Sequence, residues 1–390
     1  MDRLHELLPG SWSDDPTLAD LAGSASSALG FGADRRLPIP DSHTVVILMV
    51  DGLGDLLLHE HSVFAPTLLA HRAMPLRVGF PSTTATGLTS LGTGLPCAEH
   101  GVLGYSFAPR DLDPAIEHTL NALRWTLDTA DGPPADSLFP PTDVQPMPSA
   151  FDELTHAGAA VITLMPELFR ESGLTRAAYG TPADYRDASS PNAVRDQAVE
   201  LLAAGDQGPR LIYAYLPNLD AAGHRWGPGT PEWQERLRRI DDVVAAIVGA
   251  LQPGATLVVT GDHGMITAGR RIDIDTTPAL TEGVRAVAGE ARVRHVYAEP
   301  GRADDVFARW AHELDGHAHV ATRDQVLTEH WFGAPAAAHV TERIGDVVAV
   351  AGRDTLLTRS IHEPMETMMP GHHGGWTVAE LLVPLIIATG

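Results

Sequence analysis

The chain contains no lysine: all 27 of its basic residues are arginine. With the abundance of Ala and Gly, this reads as a compositional bias of the coding sequence and carries no functional meaning. Acids outnumber bases 50 to 27, for a formal net charge of -23. Such a diffuse acidic surface repels polyanions. Nucleic acid polymers and anionic membranes are therefore excluded as partners unless a local positive site exists, and bound divalent cations are such a site. The single Cys97 excludes internal disulfides and a cysteine-rich metal centre. No apolar run reaches the length of a membrane span; the longest are strand-sized. Residues 1–8 carry acids and His without the apolar core of a signal peptide. The expectation is a soluble, cytoplasmic protein.

What is present is a set of apolar runs that end on acids. With 390 residues and 44% hydrophobic content, the chain can build one large or two ordinary domains. The run Val45–Val50 reads as a strand buried on both faces. It stops at Asp51-Gly52-Leu53-Gly54, a turn. Three further core strands are expected at 160–164, 211–216 and 256–260, with a last one at 380–387 and another near Leu76–Phe80. Helices are expected at 53–59, 149–157, 193–204 and 231–251. The fold class is α/β, a central and mostly parallel sheet flanked by helices. Residues 1–266 and 367–390 form the main domain, and 267–366 an inserted α+β cap with a helix at 303–314. The Pro- and Asp-rich stretch 109–150 reads as loop over the sheet edge.

In an open α/β sheet, ligands sit outside the carboxyl ends of the strands. Asp51 lies at one such end. Asp220 and His224, four residues apart after the strand 211–216, share one face if helical. Asp262 and His263 end another strand, and a turn can direct both to one point. Gly371-His372-His373-Gly374 returns to the same sheet just before its last strand. Any of these alone is compatible with a cap or a loop. Together, six N/O ligands are too many for one zinc and suit two sites. Two ions about 3.5–4 Å apart clamp the attacking and leaving oxygens of a displacement at phosphorus. The segment Phe80-Pro81-Ser82-Thr83-Thr84-Ala85-Thr86-Gly87 brings hydroxyls to a helix start, where unpaired N–H groups favour an anion or act on a simple N-cap.

The ordered motifs VDGLG, FPSTTATGLTSLGTGLPCAEHG, LPNLDAAGHRWGP, TGDHGM and GHHGG resemble the alkaline phosphatase superfamily. Within it, the likeness is to the nucleotide pyrophosphatase/phosphodiesterase branch. That resemblance covers about 43–266 and 370–390. It implies one zinc held by Asp51, Thr84, Asp262 and His263, and a second by Asp220, His224 and His373. Of the two adjacent histidines, His373 fits the family's His-Gly pattern. Thr84 is implied as the nucleophile of a covalent phospho-threonine mechanism acting on a small phosphodiester or phosphoanhydride. The sequence departs from the family at Tyr105, which stands where many members carry a phosphate-binding Asn. Tyr105 is therefore a candidate catalytic donor. The alternatives to the diesterase reading are a phosphomonoesterase, a phosphonate hydrolase, or a catalytically inactive metal protein that binds a phosphorylated ligand.

Overall fold

The computed structural model describes residues 4–8, 15–32, 35–109, 118–205, 207–333 and 336–390. Residues 1–3 of the N-terminal segment and 110–117 of the expected loop lie outside the described residues. The central sheet is built from β1 (Thr44–Val50), β2 (Arg72–Arg77), β3 (Ala160–Met165), β4 (Asp184–Asp187), β5 (Arg210–Leu216), β6 (Ala255–Thr260) and a last strand, Leu382–Thr389. Its seven strands lie in the order β2, last strand, β6, β1, β5, β3, β4. Pairings of β1 with β5 and β6, and of β3 with β4 and β5, are parallel. The last strand alone runs against its neighbours.

β1, β5 and β6 are buried along their whole length. Alternate residues of β1 explain why. Val45, Ile47 and Met49 enter the apolar core on one face of the sheet. Val46, Leu48 and Val50 enter the core on the other. Each such side chain contributes about 1.5–3 kcal/mol of transfer free energy when fully buried. The carboxyl ends of these three strands lie side by side, and Asp51, Asn218 to Asp220, and Asp262 follow them directly.

A second sheet is formed by the chain between β6 and the last strand of the central sheet. Its strands are β7 (Val284–Glu290), β8 (Val293–Ala298), β9 (Ala318–Thr322) and β10 (Val347–Ala351), so the closing strand of the central sheet is β11. The order is β7-β8-β10-β9, all antiparallel, with the helix Ala303–Glu313 packed on one face. The ladder Ile266–Thr267 with Gly371–His372 brings the two ends of this segment together. Yet Val293, Val348 and Val350 share the core of the central sheet. This lobe is fused to the main sheet along one face and has its own core on the other.

Several element boundaries differ from expectation. The helix after β1 begins at Asp55, since the Gly52–Gly54 turn occupies its expected first residues. β2 ends at Arg77, four residues earlier in its start than the apolar run suggested. The stretch 109–150 is more than loop: Leu120–Asn121 and Thr126–Leu127 within it form a small antiparallel sheet with Ser106–Phe107. Two-residue strands are too short to leave an alternating pattern. Among the described residues no helix is long and apolar enough to cross a membrane.

Candidate active site

Thr84 opens a helix, Thr84–Thr93, that is buried on every side. Gly87 lets that helix lie against the end of β6, because a Cβ there would stand 2.7 Å from the Asp262 carbonyl oxygen. The approach places Thr84 Oγ1 3.1 Å from His263 Nε2. His263 Nε2 is in turn 3.3 Å from Asp51 Oδ1 and 3.8 Å from Asp262 Oδ2. Asp262 and His263 are fully buried, with Asp51 and Thr84 nearly so. Asp262 is aimed by its other oxygen, Oδ1, which accepts from the backbone N–H of Gly52 and of His263, each at 3.1 Å.

The second cluster faces outward. The helix Asn218–Trp226 starts directly after Pro217, so Asp220 and His224 fall one turn apart, with Oδ1 and Nε2 3.4 Å apart. His373 Nε2 stands 3.7 Å from Asp220 Oδ1 and 3.2 Å from His224 Nε2. Of the two adjacent histidines, His373 faces the cluster; His372 Nε2 is turned to the Met369 carbonyl at 3.1 Å. Gly52, at φ +75°, makes the tight turn that lets Asp51 and Asp220 converge; a Cβ there would sit 3.0 Å from Asp220.

Three features fit two divalent cations. Asp51 Oδ1, Asp220 Oδ1 and Asp262 Oδ2 are buried and make no hydrogen bond. Each histidine ties Nδ1 to a main-chain carbonyl, His224 to Gly371 (2.9 Å), His263 to Gly264 (2.8 Å) and His373 to Ser82 (3.0 Å). Fixing Nδ1 this way presents Nε2 as a ligand, the usual outer-shell arrangement of a metal-binding imidazole. Third, the donors fall into two groups within ligand reach, Asp220 with His224 and His373, and Asp51 with Asp220 and His263. Asp220 lies between the two.

The electrostatics show what this cluster costs without cations. Burial, with the like charge of Asp51, pushes Asp262 up to about 8. Burial raises Asp220 to about 6 against the opposing His224. Burial works to lower His263, but the Asp262 and Asp51 carboxylates hold it up to about 10. His373, stacked on His263 with ring centroids 3.6 Å apart, is driven well below its ordinary range by burial and then by His263. A cation in place of these shared protons relieves the same repulsions.

Two residues alter the expected picture. Tyr215, on β5, donates its phenol to Asp51 Oδ2 and so orients that carboxylate. Its position inside an apolar strand gave no sequence signal. Tyr105 is the reverse case. Its hydroxyl donates to Glu366 Oε1 at 3.4 Å, and among the described residues no hydrogen bond joins it to Thr84.

The sequence profile of the type I phosphodiesterase/nucleotide pyrophosphatase family matches residues 45–376. The chain belongs to that family. It lies within the alkaline phosphatase superfamily. Curated relatives match over short stretches. The catalytic subunit of human GPI ethanolamine phosphate transferase 3 is 27% identical over 121 residues, 30% of this chain and 11% of that protein. Human ectonucleotide pyrophosphatase/phosphodiesterase family member 7 is 35% identical over 66 residues, 16% of this chain and 14% of that protein. The matched stretches thus span a small part of those relatives' length. Among solved structures, murine ectonucleotide pyrophosphatase/phosphodiesterase 5 superposes with a TM-score of 0.66 at 18% identity, covering 89% of this chain and 88% of that one. Phosphonoacetate hydrolase from Sinorhizobium meliloti 1021 gives 0.64 at 19%, covering 90% and 91%. These likenesses show the fold.

Proposed function

We propose that the protein hydrolyses a small phosphodiester or phosphoanhydride through a phosphorylated Thr84. The observation that carries this reading is the convergence of three buried carboxylate oxygens that accept no hydrogen bond and three fixed Nε2 atoms at the helix start that bears Thr84. Asp51, Asp262 and His263, with Thr84 itself, would hold one divalent cation, and Asp220, His224 and His373 the other. Bound there, the pair supplies Lewis-acid charge at both ends of the displacement, and His/Asp donors suit zinc.

The chain's own residues do the rest. Thr84 Oγ1 forms a bond to phosphorus as the bond to the leaving oxygen breaks, and the hydroxyl proton goes to solvent. Free N–H groups in the first turn of the helix Thr84–Thr93 face the charge that develops on the phosphoryl oxygens. Water then attacks phosphorus and releases Thr84 with a phosphate monoester product. The inner cluster is more buried than the outer one, whose Asp220 and His224 side chains are 15% and 25% exposed. That asymmetry suits a protected nucleophile and an accessible water. The murine relative supports the role of the threonine: a form made inactive by a threonine-to-alanine change has been seen with AMP, superposing at a TM-score of 0.66 and 18% identity over 88% of this chain and 87% of that one.

The test is turnover of bis(p-nitrophenyl) phosphate by zinc-loaded protein, beside a nitrophenyl monoester and a nitrophenyl phosphonate. The diester is expected to be fastest. Thr84→Ala should lower that rate by at least ~10³-fold, a loss above 4 kcal/mol, with metal still bound, and Thr84→Ser should keep part of it. A Thr84→Ala protein at wild-type rate contradicts the covalent route. No turnover of any of the three by the wild type contradicts the hydrolase reading and favours a phospho-ligand-binding protein.

A further inference from the structure

Glu290 is a buried acid that the mechanism above does not use. It is the last residue of β7, at the tip of the β7–β8 hairpin, which docks on the nucleophile's surroundings from the lobe. On one side of it, Gly289 N–H donates to Ser106 Oγ at 2.8 Å, and Ser106 Oγ donates to the Gly289 carbonyl at 3.0 Å. On the other side, Arg292 grips Glu380 at 2.8 and 3.0 Å, and Glu380 accepts from Gly375 N–H at 2.8 Å. Between those anchors the Glu290 side chain lies over Gly374; a Cβ on that glycine would meet Oε1 at 2.7 Å. A Cβ on Gly104 would stand 3.8 Å from the same atom.

Among the described residues no ion pair joins an arginine to this carboxyl. Arg292 is engaged by Glu380, and Arg294 by Glu363 at 3.0 and 2.7 Å. Glu290 Oε1 is buried and makes no hydrogen bond. The polar group facing the carboxyl is the Thr83 hydroxyl, and burial, opposed first by Thr83, raises the acid to about 8. Leaving a carboxyl desolvated and unpaired costs several kcal/mol unless it turns neutral, and such groups gather at functional sites. A neutral carboxylic acid kept in place as a hydrogen-bonding group is a known way to use one.

We propose that Glu290 is a positioning residue for the nucleophile: the lobe delivers its carboxyl onto Thr83 and Gly374, and this holds the turn that presents Thr84. The Ser82–Gly374 bridge lies beneath it, and the Ser82 carbonyl oxygen accepts from His373 Nδ1 at 3.0 Å. Thr83, Thr84 and the His373 loop are thus joined at one place, with Glu290 on top. The inference rests on Thr84 as the nucleophile.

The experiment measures nitrophenolate release from bis(p-nitrophenyl) phosphate with zinc-loaded enzyme in excess, where the rate constant does not depend on the active fraction. Glu290→Ala is expected to lower that rate constant ~10²-fold, as a misplacement of about 1 Å can, at unchanged metal content and nearly unchanged substrate affinity. Glu290→Gln, which keeps a neutral hydrogen-bonding group of the same size, should restore it to within about threefold of wild type. Thr83→Val should reproduce most of the Glu290→Ala loss, and the double variant should be no worse than Glu290→Ala alone, the coupling expected when one residue acts through the other. A wild-type rate constant in Glu290→Ala overturns the proposal, as does a loss that Gln does not restore or that adds fully to Thr83→Val. Failure of the Thr84 reading would look different: the Thr84→Ala protein itself would turn over.

Discussion

Glu380 and Asp262 are both fully buried acids, and the protein treats them in opposite ways. Every lone-pair direction of Glu380 is used: Arg292 binds both oxygens, Gly375 N–H donates to Oε1, and Thr377 Oγ1 donates to Oε2 at 2.6 Å. Asp262 satisfies Oδ1 with two backbone N–H groups and leaves Oδ2 buried and without a hydrogen bond. Glu380 joins the lobe hairpin to the loop that carries His373. Asp262 keeps an oxygen free for something the chain does not itself provide. Burial alone does not separate a structural acid from a functional one, and the accounting of hydrogen-bond partners does.

The sharpest way to test that contrast is to neutralise each acid. Glu380→Gln breaks a buried ion pair and strands Arg292, which should destabilise the fold by ~3–5 kcal/mol in denaturant titrations while a folded fraction still binds metal. Asp262→Asn should do the reverse. It keeps the Oδ1 contacts and removes an unpaired carboxyl, so the metal-free protein should match or exceed wild type in thermal midpoint, with metal affinity and turnover lost. A wild-type metal affinity in Asp262→Asn would break the comparison.

A second expectation concerns pH in chelator-treated protein. Asp262, raised to about 8, and His263, raised to about 10, both bind more protons folded than unfolded above neutral pH. Stability then falls as pH rises, because the unfolded state is the one that releases protons first. His373 acts with the opposite sign, but its change is confined below the ordinary histidine range and is over by pH 7. The metal-free midpoint should therefore fall between about pH 7 and 9. Metal-loaded protein should not show this loss, since its ligands are already deprotonated and proton competition weakens as pH rises. Parallel curves for the two forms would contradict this.

The smallest effect is expected at Tyr105. Its phenol is turned toward Glu366, so Tyr105→Phe should change kcat by less than about threefold, under 1 kcal/mol. A loss near ~10²-fold, the size seen when an oxyanion donor is removed, would restore Tyr105 to the site.

These cases also mark what was legible in the sequence. Fully buried parallel strands leave unbroken apolar runs, so β1, β5 and β6 and the acids that end them could be read directly. Asp220 and His224 were legible because helical spacing fixes their shared face. Tyr105 was placed by its register after a glycine turn, and register says nothing about which way a long side chain leaves the backbone. Tyr215 and Glu290 carried no motif at all. Their roles arise from β5 standing beside β1 and from a hairpin folding back across about 200 residues of chain, long-range contacts that no local pattern encodes. The strands Leu120–Asn121 and Thr126–Leu127 escaped for the opposite reason, being too short to show a period.

The central claim is that the buried carboxylate oxygens without hydrogen bonds and the fixed imidazoles are the ligands of two cations. Elemental analysis of protein supplemented with zinc and then freed of loose ions tests it most directly. The account predicts close to two ions per chain, with His373→Ala losing one and keeping the other through Asp51, Asp262 and His263. Folded protein that retains no divalent metal after zinc supplementation would contradict it.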